Sequence, residues 1–431
     1  RSAFVINAVD RLGVSPIEIS AGPGVTVELN NLTISRGHSN NPNGGGITLR
    51  GGATLNLLQV SVDNNTTGAE NGGGIISNGS VLNITDSLII NNHMLTPGGA
   101  GAGIGLFGGS LTIKGSLISG NKLGNSNDLG GAGVNLFQVA SARIENSTIS
   151  NNLNGNYGAG IKNEFSNLRM SNVTVSNNSG GVQAGGLANL SGTAILRNCT
   201  IAGNSVTRFG GGIFNGGNNA TLSIANTVIA DNSAGEQGAD VFNFATLSRL
   251  GNNIVETAVA NSGSIVGTGS INQIDPGLLE LTSYGGPIPT RAIRFDSLAR
   301  NAGISSEALD TQTIAQPLSF DGRGPGFPRI MDGSVDIGAF ESPLVNSTFT
   351  VGGRIAGAGR VLPGRSMLVI TDLLSGVQRY TLTSAEGAYR FSNLAAGGNY
   401  RVDVISKRAT FTAQFITVFG DLTELNFAPN K

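Results

Sequence analysis

Short runs in which aliphatic residues alternate with polar or small ones recur along roughly the first three-fifths of the chain. Leu55 and Leu57 flank Asn56, Leu82 and Ile84 flank Asn83, Leu111 and Ile113 flank Thr112, and Leu222 and Ile224 flank Ser223. A period of two marks a strand with one buried face. No segment carries the i, i+3, i+4 spacing of an amphipathic helix, and the density of Gly and Asn disfavours helix further. The pattern predicts many short strands.

Two markers show that these strands belong to a repeat. The first is a Gly followed by an aliphatic residue: Gly46-Ile47, Gly74-Ile75, Gly103-Ile104, Gly133-Val134, Gly160-Ile161, Gly186-Leu187 and Gly212-Ile213, spaced 28, 29, 30, 27, 26 and 26 residues apart. The second runs out of phase with it, an aliphatic stretch leading into Asn65, Asn92, Asn121, Asn152, Asn178, Asn204 and Asn232. A period near 28 also suits leucine-rich repeats. The alternating strands within each period instead predict a parallel β-helix, three strands to a coil, with neighbouring coils about 4.8 Å apart and right-handed crossovers. The Asn column is expected to serve a corner, through the tolerance of Asn for the left-handed backbone region, and to stack as an amide ladder. The marker Gly is expected to serve a second corner through its freedom at positive φ.

The repeat fades after Asn253, and residues 275–341 hold six of the thirteen prolines with no coil period. That stretch reads as the end of the solenoid, since an open end would expose core and strand edge. From 346 onward, strand-like runs at Thr348 to Ile355, Ser366 to Asp372, Gln378 to Thr383, Ala388 to Phe391, Tyr400 to Ile405, Thr410 to Thr417 and Thr423 to Phe427 predict an antiparallel β-sandwich. The expected organisation is therefore all-β: coils over 1–255, final coils and a C-terminal cap over 256–345, and an appended sandwich over 346–431.

Composition narrows the function classes. Charged residues are only 12% of the chain, yet 39% is hydrophobic, so the low charge does not signal disorder. A net charge of −1 gives no electrostatic reason to bind nucleic acid or an anionic membrane. The single Cys199 excludes an internal disulfide and a Cys-based zinc site. No 18-residue apolar run is present, so no membrane-spanning helix is expected. The first residue is Arg rather than Met, which suggests a processed or trimmed N-terminus, a removed signal peptide being one explanation.

Three stretches resemble known families. The coils resemble the pectate-lyase-like right-handed β-helix superfamily, in its Gly/Asn-rich bacterial surface versions. Asp275-Pro276, Tyr284 to Thr290, Ser297 to Gly303, Asp321 to Arg329 and Asp336 to Glu341 are similar, in order, to the "DP", "NGGPTPT", "SPAIDAG", "DQRGFPR" and "DIGAFE" segments of "choice-of-anchor" β-helix proteins. Tyr284 stands where that family has Asn, and "DGRGPGFPR" carries an insertion. Val351 to Ile355, Glu386 to Phe391, Leu394 and Gly397 to Tyr400 resemble carboxypeptidase regulatory-like, transthyretin-like sandwiches. The resemblances imply an extracellular, cell-surface location and dictate no activity. Sandwiches of this type sometimes carry Lys–Asn crosslinks, but Lys407 lies late in the domain rather than on its first strand.

The β-helix is also a scaffold for polysaccharide lyases and hydrolases, which need paired carboxylates across a scissile bond, or a Ca²⁺ cluster beside a base. The coil carboxylates Asp63, Glu70, Asp86, Asp128, Glu145, Glu164, Asp231, Glu236 and Asp240 fall at different phases of the repeat, and Lys114, Lys122 and Lys162 do not accompany a cluster. No catalytic residue and no cofactor are assigned. The weak metal candidates are Asp332 and Asp336 in "DGSVD", whose oxygens have a spacing that suits Ca²⁺. His38 and His93 are two coils apart, about 10 Å, too far for one ion. Phe107, Phe137 and Phe165 recur at one coil spacing and predict a stacked aromatic row, with a sugar platform as the sharper alternative. Cys199 reads as a small core or ladder residue.

The leading expectation is a non-catalytic extracellular structural or adhesive protein. Its partners would be copies of itself or cell-surface and matrix components. The N-terminal "SAFVINAV", carrying Phe4, Val5 and Ile6, either starts the first coil or adds as a strand to a neighbour's sandwich and joins subunits head to tail. The alternative is a polysaccharide-binding or polysaccharide-degrading β-helix.

Overall fold

The computed structural model describes residues 4–7, 15–39, 44–68, 71–96, 98–124, 130–344, 347–355, 366–406 and 409–430, with backbone only at 4–7 and 261. Two compact units account for the chain: residues 1–278 with 297–341, and residues 279–296 with 342–431.

The first unit is a parallel β-solenoid with three long walls. One wall has eleven strands, from Phe4–Asn7 to Ser270–Asn272. The others have ten each, from Ile17–Ser20 to Ala260–Asn261 and from Thr26–Asn30 to Ser264–Val266. A coil runs Ile47–Arg50, Thr54–Leu58, Ser61–Asp63, then a short fourth strand, Thr66–Thr67, before it returns to Ile75–Asn78. The short strands pair in groups of three and four on the far corner, a feature beyond the expected three strands per coil. Alternation explains the core. Ile34, Val62, Ile89, Ile118, Ile149, Val175, Ile201, Ile229 and Val255 stack in register on one wall, and all are fully buried. A one-residue slip would turn that column to solvent, so burial itself fixes the register.

Phe4–Asn7 pairs in parallel with Leu32–Ser35 and is the first strand of the eleven-stranded wall. At the other end, residues 256–345 divide rather than forming one cap. Ala260–Asn261, Ser264–Val266 and Ser270–Asn272 add a last round of strands, and 279–296 belongs with the second unit. Residues 297–341 lie along the flank of the solenoid as a strap. Asn252 Nδ2 donates to Ala302 O at 2.7 Å, and Asn226 exchanges bonds with Ile304 at 2.9 and 2.8 Å. Ala339 N donates to Thr200 Oγ1 at 3.0 Å, Asn172 Nδ2 to Phe320 O at 2.7 Å, and Thr311 N to Glu145 Oε1 at 3.1 Å. Glu145, Asn172, Thr200, Asn226 and Asn252 belong to five successive coils. The physical reason for the flank position is backbone satisfaction. A Pro/Gly-rich segment cannot build its own ladder, and the corner side chains of the repeat supply the missing partners.

The second unit is an antiparallel β-sandwich. One sheet pairs Thr348–Arg354 with Ala388–Ala395, and the other runs Gln378–Leu382, Met367–Asp372, Asn399–Ile405, Gln414–Thr417. Val351, Leu368, Ile370, Leu394, Val402 and Val418 form its core. The seventh expected strand, Thr423 to Phe427, is represented by two bridges, Val351 to Leu422 and Ile355 to Phe427. Residues 279–296 join this unit as a hairpin, bridged between Thr282 and Thr290, with the Tyr284 and Phe295 rings 5.6 and 5.4 Å from that of Phe419.

Candidate functional site

The two sequence markers meet in space. Each ladder Asn donates through Nδ2 to Oδ1 of the next: 65 to 92, 92 to 121 and 121 to 152 at 3.0 Å, then 152 to 178, 178 to 204 and 204 to 232 at 2.9 Å. The same Oδ1 also accepts the backbone N–H of the preceding ladder residue, as Asn152 Oδ1 does from Asn121 N at 3.0 Å. The second Nδ2 proton goes to a carbonyl of the preceding coil, as Asn152 to Ile118 O at 3.1 Å. All seven side chains are buried. A buried amide with an unmade bond would cost about 1–3 kcal/mol, and in this arrangement the amides are satisfied.

The ladder Asn residues do not take the left-handed conformation assigned to them from sequence. That backbone belongs to the residue before each: Asn64, Asn91, Gly120, Asn151, Asn177, Gly203 and Asp231, with φ between 53° and 69°. One residue turns the chain and the next bonds the coils, because side-chain stacking along the axis needs a position whose amide points inward.

The marker glycines also differ from expectation, since none of the seven has a positive φ. Their need is space. A Cβ at Gly103 would stand 2.6 Å from Gly133 O and 2.9 Å from Asn121 Nδ2, and the equivalents at Gly46, Gly74, Gly133 and Gly160 are as tight. The Gly column is the hollow into which the Asn ladder fits. Gly103→Ala is expected to lower stability by about 1–3 kcal/mol through overpacking, measurable as a fall in the thermal midpoint. Gly79→Ala, with nothing within 4 Å of the added methyl, controls for the cost at an open corner of positive φ.

The ladder ends on Asp240, which takes the place of the marker Gly in the last full coil. No further Asn fills the hollow there, and the carboxylate fills it instead. Asp240 Oδ1 accepts from Asn232 Nδ2 at 2.9 Å, and Oδ2 accepts from Thr257 N at 2.7 Å and Thr257 Oγ1 at 2.8 Å. A second ladder, missed from sequence, joins Asn163, Asn189, Asn215 and Asn243 at 2.7, 2.8 and 2.7 Å. Its signal was an Asn two places after the aliphatic residue of the Gly marker. Cys199 continues a column that includes Ser87, Ser116 and Ser147. Its Sγ donates to Arg197 O at 3.3 Å, and burial pushes its thiol up to about 12, so it stays protonated at neutral pH.

The carboxylates are spread over different corners with partners of their own. Glu145 bonds Thr311 and Lys114 (2.9 Å), Glu164 pairs with Lys162 (2.7 Å), Glu236 with Arg208 (2.6 Å), and Asp63 accepts from Asn91 (3.3 Å). Glu70, Asp128 and Lys407 lie outside the described residues. Among the described residues, no three His, Cys, Asp or Glu side chains gather closely enough to hold a metal ion. Asp332 is exposed and 3.5 Å from Arg300, whereas Asp336 is buried and accepts Asn301 N at 2.7 Å. One of the two Ca²⁺ candidates is therefore solvated and the other dehydrated.

The densest charge cluster is buried in the strap, on the residues of the DGRGPGFPR and DIGAFE segments. Arg323 lies between the rings of Phe327 and Phe340, 4.1 and 4.0 Å from their centres, and holds Asp321 at 2.7 Å. Arg329 donates to Asp336 O at 2.6 Å and Gly338 O at 3.0 Å, with Glu341 3.7 Å away. Burial, opposed by Arg329 and reinforced by Asp336, raises the Glu341 carboxyl from its ordinary 4.5 to about 8. A carboxyl that holds its proton more tightly when folded contributes stability that is fully present below about pH 4.5 and is lost as pH rises through about 8. The expected result is a lower urea midpoint at pH 8.5 than at pH 6, with the difference reduced in Glu341→Gln.

The chain matches the family model described as "Right handed beta helix region" over residues 124–276. That match, together with the parallel walls, settles the handed class of the solenoid. It is a right-handed parallel β-helix. No curated protein and no solved structure matches the chain significantly.

On the outside of the β-helix, Phe107 and Phe137 are in register with ring centres 6.3 Å apart, but Phe165 is not in their column. Glu164 occupies that position, and Phe165 reaches Phe137 at 6.1 Å from a left-handed corner, 56% exposed. A larger aromatic group, absent from the sequence reading, stacks Phe214 on Phe242 at 5.7 Å with Phe209 and Phe244 around them. His38 and His93 share one column with Thr66 between them, and His38 Nδ1 bonds Thr66 Oγ1 at 2.7 Å. Burial and Lys122 lower the His93 pKa. No helix among the described residues is long and apolar enough to cross a membrane.

Proposed function

We propose that this β-helix protein is a non-catalytic, extracellular structural or adhesive protein whose copies associate end to end. The observation that carries the reading is the unbroken Asn ladder, which passes from Asn65 through seven coils to Asp240, with no insertion among the described residues that opens a cleft between coils. Such a ladder favours a stiff spacer, because every coil is bonded to the next by backbone and by side chain. The resemblance of residues 275–341 to surface proteins supports a location outside the cell. Self-association is supported by the strand Phe4–Asn7, which among the described strands has a ladder partner on one side. Electron microscopy of the purified chain tests the reading. Filaments are expected, and removal of residues 1–9 is expected to abolish them. Filaments unchanged by that removal, or dispersed monomers at all concentrations, would overturn it.

A polysaccharide-binding role has one observation in its favour, the exposed rings of Phe165 and Phe244. Retention on immobilised polysaccharides that is lost in Phe165→Ala and Phe244→Ala would select it.

A further inference from the structure

The second unit contains a groove of about 1180 Å³, walled by the 279–287 hairpin, the strand Gln414–Thr417 and residues 421–425. Three apolar side chains stand out into solvent on its walls: Leu374 is 97% exposed, Phe415 68% and Leu373 50%. Among the described strands Gln414–Thr417 is the last of its sheet and pairs with Asn399–Ile405 alone, so its outer edge offers backbone donors and acceptors. Such edges are sites of strand addition. The charged residues among the described lining of the groove are Glu280, Asp421 and Glu424, while Arg401, 6.0 Å from the Phe415 ring centre, is paired with Asp403 at 2.8 Å.

One segment of this chain has the matching chemistry. Phe4–Asn7 is the first strand of its wall, and no other described strand belongs to its coil. In sequence Phe4, Val5 and Ile6 are three apolar residues in succession, so the segment has no polar alternation. Later coils put Thr33 and Ser61 at the register position of Val5. Residues 1–11 carry two Arg and one Asp, a charge opposite to that of the groove. The other edge strand of the sandwich sheet, Gln378–Leu382, carries Arg379 and flanks no such groove.

We propose that the Phe4–Asn7 strand of one copy adds to the Gln414–Thr417 edge of a second copy, seated in this groove and covering Phe415 and Leu374. The proposal rests on the end-to-end reading above and names its acceptor. Because the strand's outer edge is the one engaged, it keeps its pairing with Leu32–Ser35.

Disulfide trapping between full-length chains tests it. Val5→Cys protein is mixed with Phe415→Cys protein, and in parallel with Leu382→Cys protein, under mild oxidation. Cys199 is buried and stays silent. Covalent heterodimers with Phe415→Cys, at least tenfold over those with Leu382→Cys, support the acceptor site. Phe415→Glu is expected to raise the concentration needed for assembly at least tenfold, and Leu382→Glu to leave it unchanged. Filaments of the unaltered chain with no preference for Phe415→Cys would overturn the groove and leave end-to-end association standing. Monomers with no trapped dimer would overturn both.

Discussion

Asn152→Ala is expected to unfold the central coils, whereas Asn151→Gly, one residue earlier, is expected to cost almost nothing. Asn152 Oδ1 accepts from both Asn121 N and Asn121 Nδ2, and its own Nδ2 donates to Asn178 Oδ1 and Ile118 O. Truncation leaves four buried polar groups short of a partner, where water has no access. At about 1–3 kcal/mol for each unmade bond the loss reaches about 4–12 kcal/mol, a large part of the stability of a typical domain at about 5–15 kcal/mol. Asn152→Asp does not rescue it, because a carboxylate keeps the acceptor for Asn121 but removes both donors and sets one oxygen against Asn178 Oδ1. Asn151 is exposed and sits at φ 55°, a conformation Gly adopts freely. The measurement is hydrogen exchange followed coil by coil, since a repeat array need not unfold in one step. Fast exchange confined to the coils around residue 152 is the expected signature. Equal protection in the two variants would show that the ladder is not a source of stability.

The second large effect is expected at Arg329. Arg329→Leu removes the donor that holds Asp336 O and Gly338 O and leaves the Asp336 and Glu341 side chains buried together without a guanidinium. Breaking a buried charge network by removing one partner typically costs about 3–5 kcal/mol. Arg329→Lys is expected to recover part of the loss, because both carbonyls accept from the single Nη2 and an ammonium also offers several donors on one nitrogen. The strap is held to the coils by side-chain bonds at Glu145, Asn172, Thr200 and Asn226 rather than by a strand ladder, so it is expected to detach before the coils open. Limited proteolysis of Arg329→Leu should cut within 297–341 while the coil fragments stay resistant. Cleavage inside the coils at the same rate would mean that the strap and the β-helix unfold as one.

How much of this was legible follows from the range of the interactions. The strand period, the coil length and the Asn column are repeated locally, and each repeat is written again in the next 26–30 residues, so a single sequence shows them. The division of labour within Asn151-Asn152 was hidden, because two identical side chains in succession give no sign of which one turns inward. The second ladder was hidden for another reason. Asn163, Asn189, Asn215 and Asn243 replace Leu136 of the preceding coil in the same column, so polar and apolar residues exchange at one buried position. The strap network was quoted as a motif, yet the pairing of Arg323 with Asp321, and of Arg329 with the Asp336 carbonyl, depends on a fold-back that no local pattern encodes.

By itself the sequence determined that the chain is an all-β solenoid with a terminal sandwich, because period-two alternation and a recurrent Gly and Asn admit little else. Tertiary structure decided what those residues are for. The marker Gly is a hollow for its own coil's Asn rather than a left-handed corner, since its constraint comes from that side chain and from the carbonyl of the next coil, both distant in sequence. Asp240 is a ladder terminus rather than a stray carboxylate, because its coil brings Thr257 rather than another Asn to that corner. The supposed cap is a strap and a hairpin, and only the hairpin's union with the sandwich makes a groove beside an open strand edge.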